Sequence, residues 1–178
     1  MVGAFNLIFR TDDGGRSWTP WMDRTENPSA LNLYGLRAVG DELFIVGEQG
    51  LVLKLDAAGE RFKAVLTPYN GSYFGVIGKP GVTLVYGLRG NLFRSQDGGA
   101  SWNQVDVGLP VSITAATVDP AGQIILLSQA GHVLVSSDDG ASFATRPQEQ
   151  LAPVSAALAT RGSLVLAGTR GVRTLPIE

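Results

Sequence analysis

The chain contains no cysteine, which excludes disulfide bonds, thiolate chemistry and zinc sites with cysteine ligands. It has no surplus of basic residues either, because the formal net charge is −2 and the pI is about 5.4. General nucleic-acid binders carry a basic surplus, so we expect no nucleic-acid partner. No apolar run approaches the roughly 18 residues of a membrane-spanning helix, so we expect no membrane insertion.

Glycine and proline, by contrast, are abundant, and apolar runs rich in valine and leucine separate them. The 178 residues include 23 glycines and 9 prolines. This composition is typical of short strands joined by tight turns, and the length suits one globular domain. No segment shows sustained helical periodicity, so we predict an all-β fold with almost no helix.

An eight-residue motif that ends in an aromatic residue recurs along the chain. Three copies fit the pattern Ser/Thr-x-Asp-x-Gly-x-Ser-Trp/Phe, and a degenerate copy occupies residues 55–62. The final residues Trp18, Phe62, Trp102 and Phe143 are separated by 44, 40 and 41 residues. A fixed period of about 40 residues indicates a repeat protein.

Each copy of the motif predicts a self-contained hairpin turn. The aspartate accepts hydrogen bonds from its own turn, the glycine adopts a conformation that side chains oppose, and the aromatic ring packs between neighbouring sheets. An acidic site for acid–base or calcium chemistry is the alternative. We prefer the structural interpretation, because a catalytic site needs different groups at one point rather than one repeated motif. The residues assigned to the motif are Thr11, Asp13, Gly15, Ser17, Trp18, Ser95, Asp97, Gly99, Ser101, Trp102, Ser136, Asp138, Gly140, Ser142 and Phe143.

Four short apolar stretches fill each period. They predict four antiparallel strands, A, B, C and D, with the motif as the C–D hairpin. Four strands per period of about 40 residues predict a blade of a β-propeller. The A strands carry glycine and alanine, which predicts that they are innermost, where blades crowd the central axis.

The period also predicts how the chain divides. We expect residues 1–178 to form a single β-propeller domain, or part of one. Two ways of completing the ring stay open: the N-terminal C–D pair joins the C-terminal A–B pair to give four blades, or the chain is part of a larger ring, which a second copy in a homodimer completes. The predicted units are a half blade (strands C and D) at 4–22, full blades at 31–67, 72–108 and 112–146, and an incomplete blade (strands A, B and C) at 154–175.

The motif and its spacing resemble the bacterial neuraminidase (Asp-box) repeat of sialidases, xyloglucanases, sortilin-type receptors and photosystem II stability/assembly-factor-like proteins. The glycine-rich C–D turns, the 40–41 residue spacing and the ending Gly168-Thr169-Arg170-Gly171-Val172-Arg173 are most similar to the last group. Members of that group are usually larger propellers, which implies that this chain corresponds to roughly the second half of one.

The resemblance also implies a location. In bacteria without photosynthesis, the assembly-factor-like group resembles periplasmic accessory proteins, so we expect a periplasmic or other extracytoplasmic protein. The chain itself shows no signal peptide. Its apolar stretch from Val2 to Phe9 is short, ends at Arg10 and has neither a basic segment before it nor a small-residue cleavage site after it.

An enzyme is the alternative to a non-catalytic protein. Sialidases need three arginines, a Tyr–Glu pair and an acidic aspartate, and the Phe/Tyr-Arg-Ile-Pro motif of their first arginine is absent. Xyloglucanase-type enzymes need two opposed carboxylates, and the carboxylates outside the motifs form no recognisable pair. The single histidine, His132, lacks a serine or aspartate constellation. We therefore expect no catalytic residue, metal or cofactor, and keep an Asp-box glycoside hydrolase fragment of sialidase or xyloglucanase type as the alternative.

The candidate binding face lies opposite the motifs, where the B–C and D–A loops of each blade meet. Arg89 and Arg170 occupy equivalent positions two blades apart, and Tyr69, Tyr86 and Gln49 complete the candidate site for an anion or a peptide. The alternative is that both arginines are solvated loop residues. We predict a scaffold for protein–protein interaction, an assembly or accessory factor whose partner is a protein that the sequence does not identify.

Overall fold

The computed structural model describes residues 1–148 and 151–177. Seventeen strands and three single turns of 3-10 helix form the regular structure of these residues, so the predicted all-β fold is confirmed. The strands build consecutive antiparallel sheets that are the blades of a partial β-propeller. The 3-10 turns are Ala4–Asn6, Met22–Arg24 and Leu88–Gly90.

Each blade is an antiparallel meander whose strands pair in chain order, because short turns join consecutive strands. The N-terminal pair is β1 (Phe9–Arg10) and β2 (Thr19–Pro20). The three full blades are β3 (Leu33–Val39), β4 (Glu42–Gly47), β5 (Val52–Leu55) and β6 (Phe62–Val65), then β7 (Tyr73–Lys79), β8 (Val82–Gly87), β9 (Leu92–Ser95) and β10 (Asn103–Gln104), then β11 (Ile113–Val118), β12 (Ile124–Ser128), β13 (Val133–Ser136) and β14 (Ala144–Arg146). The last sheet is β15 (Val154–Thr160), β16 (Ser163–Gly168) and β17 (Gly171–Pro176).

The A strands of neighbouring blades lie against one another around the axis. A Cβ atom on Gly35 would lie 3.2 Å from the Cα atom of Gly75 on the next A strand. The Thr114 hydroxyl donates a hydrogen bond of 2.6 Å to the Val154 carbonyl, again from one A strand to the next. The small residues of these strands are therefore what lets the blades approach so closely.

The core lies between the blades rather than at one centre. Ile8 of the N-terminal pair packs with Ile45 of the first full blade, and Phe44 on the other face of that blade packs with Val85 of the second. The third cluster joins the second and third full blades, and the fourth joins the third blade to the last sheet. Each middle blade is therefore buried on both faces, whereas the sheets at the two ends are covered on one face.

The N-terminal pair does not complete the last sheet. β1 and β2 form a separate two-stranded sheet. The edge of β16 that four-blade closure requires is occupied by β17, paired from Ser163 opposite Pro176 to Gly168 opposite Gly171. Closure into four blades within one chain, which would leave residue 171 onward unpaired, is therefore not formed, and the described blades make an open arc. No helix in the described part of the chain has the length and apolar character needed to cross a membrane.

Candidate functional site

The second motif, residues 95–102, shows how the C–D hairpins are held. Asp97 Oδ1 accepts hydrogen bonds from the Ser101 N–H at 2.9 Å and the Ser95 hydroxyl at 2.8 Å, and Oδ2 accepts one from the Ser101 hydroxyl at 2.6 Å. Ser95 Oγ in turn accepts the Gly99 N–H at 2.8 Å. The Ser101 hydroxyl, followed by the Ser101 N–H, favours the ionised carboxylate and lowers the pKa of Asp97 to about 2.

The first and third motifs repeat this geometry. Asp13 accepts the Ser17 hydroxyl and N–H at 2.6 and 2.9 Å, and Asp138 accepts those of Ser142 at 2.6 and 3.0 Å. The serine hydroxyl, as the largest cause, holds the pKa of each carboxylate well below its ordinary value. Thr11 and Ser136 accept the N–H of Gly15 and Gly140 at 2.8 Å, as Ser95 does for Gly99. All three carboxylates are therefore bonded within their own hairpins.

The aromatic residues of the motifs differ in how far the fold covers them. Trp102 packs against the cluster between the first and second full blades, and Phe143 against the cluster between the second and third. Trp18 is 46% exposed, so the predicted packing between two sheets is wrong at this position. The reason is its place in the arc: Trp102 and Phe143 each pack in a cluster shared with the blade before their own, and no described blade precedes β1 and β2.

Basic residues of one blade also bind the motif of the next, a contact that the motif itself does not predict. The Lys54 ammonium donates to the Gly98 carbonyl at 2.7 Å and pairs with Glu42 on its own blade. Arg94, which follows Lys54 by one period, donates to the Asp139 carbonyl at 2.7 Å. A basic residue repeated at a spacing of 40 was the available signal, but the sequence alone does not show which element it reaches.

On the opposite face, the structure exposes three of the five predicted binding residues. Gln49 and Arg89 lie at the tips of B–C loops with φ of 52° and 57°, in the left-handed region that few side chains adopt, and Arg170 is exposed in the last B–C loop. Within the described residues no hydrogen bond or ion pair joins these three side chains to one another. They therefore mark the same position on separate blades rather than one assembled site.

Arg89 also borders a surface groove of about 580 Å³ between a B–C loop and the D–A loop that follows the same blade. The Asp106 carboxylate is turned towards its own loop, since it accepts the Gly108 N–H at 2.7 Å. The groove therefore combines the exposed Arg89 with amide, carboxylate and apolar groups. Its other lining side chains are Asn91, Gln104, Asp106, Val105, Val107, Leu109 and Pro110.

The two tyrosines predicted for this face are not free to bind. Tyr86 is 7% exposed, and the prediction that it contributes to the binding face is wrong. Both faces of β8 are covered by neighbouring blades, and burial raises the pKa of Tyr86 to about 12. Tyr69 is half-buried, stacks on Phe93 at 5.7 Å between ring centres and therefore anchors its loop to the blade.

A polar cluster that no sequence motif predicts lies at the inner rim of the same face. Glu48 Oε1 accepts hydrogen bonds from the Tyr34 hydroxyl at 3.1 Å and the Asn32 amide at 2.9 Å, and Oε2 accepts the Asn32 N–H at 2.9 Å. The Asn32 backbone bond, as the largest cause, lowers the pKa of Glu48. Tyr34, Asn32 and Glu48 are called the rim cluster below.

Comparison with known proteins identifies the fold. No protein-family model and no curated protein matches the sequence. Among solved structures, the chain is similar to YCF48 from Cyanidioschyzon merolae, with 19% identity and a TM-score of 0.73 over 99% of this chain and 62% of that chain. A structure of YCF48 bound to D1 peptide gives 19% identity and a TM-score of 0.67 over 96% of this chain and 59% of that chain.

Virginiamycin B lyase from Staphylococcus aureus is also similar, with 12% identity and a TM-score of 0.74 over 98% of this chain and 64% of that chain. The likeness shows a β-propeller. At these identities it shows the fold alone, since propellers carry many functions. The chain spans less than two thirds of the length of each of these three structures.

Proposed function

We propose that this chain is a non-catalytic β-propeller scaffold for protein–protein interaction, an assembly or accessory factor that binds its partner on the face of the B–C and D–A loops. The observation that carries the proposal is the exposed Arg89 beside a groove of about 580 Å³. A guanidinium group binds a carboxylate through two parallel hydrogen bonds, and Leu109 and Pro110 in the groove suit apolar side chains. YCF48, which shares the fold, binds D1 peptide, which supports a peptide ligand here.

Selection from a displayed peptide library tests this proposal. We expect the folded protein to enrich peptides that bind the wild type and lose about tenfold in affinity with the double variant Arg89→Ala/Arg170→Ala. The matched control is Arg16→Ala/Arg61→Ala, which removes two exposed arginines from the motif face. Equal binding of every enriched peptide to wild type and the Arg89/Arg170 variant would contradict the proposal, as would a library that yields no ligand.

The absence of catalysis and the location are further parts of the proposal. A glycoside hydrolase fragment is the alternative function, and turnover of a sialoside or β-glucan that one carboxylate substitution abolishes would establish it. The resemblance of the repeats to accessory propellers supports a periplasmic or other extracytoplasmic location. Recovery of the native protein with the cytoplasmic fraction of its host would contradict that location.

We also propose that a second copy completes the ring. Apolar side chains stay exposed at both ends of the arc: Trp18 beside the N-terminal pair, and Leu158 and Val172 on the last sheet, at 61% and 72% exposure. Equivalent faces in the middle of the arc are packed against neighbouring blades. A two-copy ring would cover both ends with the kind of contact that already joins the blades.

A further inference from the structure

The rim cluster occurs in one blade only, and the repeat supplies its own comparison. Asn32, Tyr34 and Glu48 all belong to the first full blade. Their counterparts one, two and three blades on carry no carboxylate and no tyrosine. These counterparts are Ser72, Ser112 and Pro153 for Asn32, Phe74, Thr114 and Ser155 for Tyr34, and Leu88, Gln129 and Thr169 for Glu48.

The fold does not need the cluster to hold the B–C loop in place. In the three full blades a backbone hydrogen bond already does this, from the N–H of Glu48, Leu88 and Gln129 to the carbonyl of the residue before the A strand of the same blade, at 3.1, 3.1 and 2.8 Å. The acceptors are Asn32, Ser72 and Ser112. The rim cluster therefore provides a carboxylate and a tyrosine that the other blades lack and that the loop does not need for its position.

The backbone at this point aims Tyr34 out of the sheet. The pairing between β3 and β4 shifts by one residue between Leu33 and Gly35, so Tyr34 is the extra residue of a β-bulge. The same bulge occurs at Phe74, Thr114 and Ser155 in the other blades, so it is a feature of the repeat that re-aims the side chain at this position, and in the first full blade that side chain is a tyrosine. Tyr34 stays 46% exposed while its ring makes a T-shaped contact with the Phe74 ring at 6.0 Å between centres. The bulge thus places a half-exposed aromatic ring at the inner rim.

The charge of the cluster is also uncompensated. Glu48 takes part in no ion pair in the described part of the chain. Its three hydrogen bonds leave room for a further donor, because a carboxylate accepts about four. An exposed aromatic ring beside an unpaired carboxylate attracts a cation, through the ring quadrupole and through charge-assisted hydrogen bonds.

We propose that the rim cluster is a subsite for a cationic side chain, a guanidinium or an ammonium group, on a bound peptide. A guanidinium fits better, since its plane stacks on the Tyr34 ring while its N–H groups reach Glu48. Phe5 lies next to the subsite, because its N–H donates to Asn32 Oδ1 at 2.8 Å, and its 81% exposed ring offers an apolar contact for the flanking residue. The subsite rests on the proposed function in that a peptide supplies the cation.

A titration with single amino-acid derivatives tests the subsite without a protein partner. N-acetyl-arginine amide, N-acetyl-lysine amide and the neutral isostere N-acetyl-citrulline amide are added to the ¹⁵N-labelled protein, and the backbone N–H signals of residues 32, 34 and 48 are followed by NMR. We expect saturable shifts with the arginine derivative, with a dissociation constant on the order of millimolar, and none with citrulline. A response to the lysine derivative as well extends the subsite to ammonium groups.

Variants separate a bound cation from a merely structural cluster. Glu48→Gln keeps an acceptor but removes the charge, and we expect it and Tyr34→Ala each to weaken binding about threefold or more. Glu60→Gln, an exposed carboxylate on the degenerate motif, is the matched control and should bind like wild type. Dispersed spectra establish that each variant is folded.

Absence of a saturable shift, equal response to citrulline, or unchanged affinity in folded Glu48→Gln would overturn the subsite. Because the probe is a single residue, such a failure leaves the peptide selection on Arg89 and Arg170 standing. Failure of that selection likewise leaves this titration interpretable.

Discussion

Each motif aspartate serves the hairpin that contains it. Both carboxylate oxygens of Asp97 accept hydrogen bonds from residues of its own turn. Gly99, two residues later, adopts the backbone conformation that the turn requires, with φ of 92°. The motif therefore pairs an acceptor of several N–H and O–H groups with a residue that has no side chain to clash. A carboxylate bonded in this way is held ionised and is a poor base at neutral pH.

Asp97→Asn tests this role through its pH dependence. The folded-state pKa of about 2 lies below the ordinary value of 3.8, so ionised Asp97 stabilises the fold above about pH 4, and this contribution is lost as the pH falls towards 2. We expect the variant to melt roughly 2–6 °C below wild type at pH 7. The difference in melting temperature between wild type and variant, measured by circular dichroism, should decrease as the pH falls from 4 to 2.

The control for Asp97→Asn is Asp41→Asn, an exposed carboxylate in the turn between β3 and β4. It should change the melting temperature little at any pH. A gap between Asp97→Asn and wild type that stays constant from pH 7 to pH 2 would contradict the assigned role.

Tyr86 shows why burial at the residue scale was harder to predict than the turns. The motif turns depend on residues within eight positions of one another, so the sequence contains all of their partners. Tyr86 depends on the next blade, since it belongs to the cluster between the second and third full blades. Strand β8 is covered on both faces, so its sequence lacks the alternation of polar and apolar residues that would show which side is exposed. The sequence pattern therefore did not show that Tyr86 is buried.

The elements are joined by close contacts between B–C and D–A loops. Gly50, Gly90 and Gly131 each lie two residues before a C strand and have positive φ, and the backbone of the following D–A loop occupies the space where a Cβ would be. The Gly50 N–H also donates to the Gly71 carbonyl at 2.7 Å. The strands and the glycine register follow from the period of the sequence, but the contact does not, because it joins loops about 20 residues apart in the chain.

Gly50→Ala should therefore be costly. A Cβ atom at Gly50 would lie 1.9 Å from the Tyr69 carbonyl oxygen, and the residue has φ of 77°. We expect a loss of about 2–4 kcal/mol in the free energy of unfolding, because the clash involves backbone and adds to conformational strain. Urea denaturation monitored by tryptophan fluorescence measures it.

Gly59→Ala separates the clash from the strain. Gly59 has a similar φ of 70° but no atom within 4 Å of its added Cβ. This control should cost only about 1–2 kcal/mol, the penalty for a left-handed residue. Equal losses for the two alanine variants would mean that the loop contact contributes nothing to stability.

At the largest scale, the described blades form an arc whose two ends differ from its middle. Leu36 on the first full blade is 41% exposed, whereas Val76, its counterpart on the second, is buried, because a complete blade covers Val76. The period of the sequence predicted the number and order of sheets in the arc. It left the closure open, because closure depends on contacts between elements far apart in the chain, and here β17 takes the edge that an N-terminal strand would need.

The proposed two-copy ring predicts that the wild type self-associates through its exposed ends. If a second copy completes the ring, the last sheet of each chain packs on the N-terminal pair of the other through two identical interfaces, which is a closed two-fold arrangement. Light scattering coupled to size-exclusion chromatography should then give about twice the chain mass of 18.7 kDa.

Leu158→Asp/Val172→Asp places charges on the free face of the last sheet and should return the protein to the monomer mass. Leu66→Asp, at a still more exposed position after β6, should leave the dimer intact, and a monomeric wild type at its highest soluble concentration would rule out the two-copy ring.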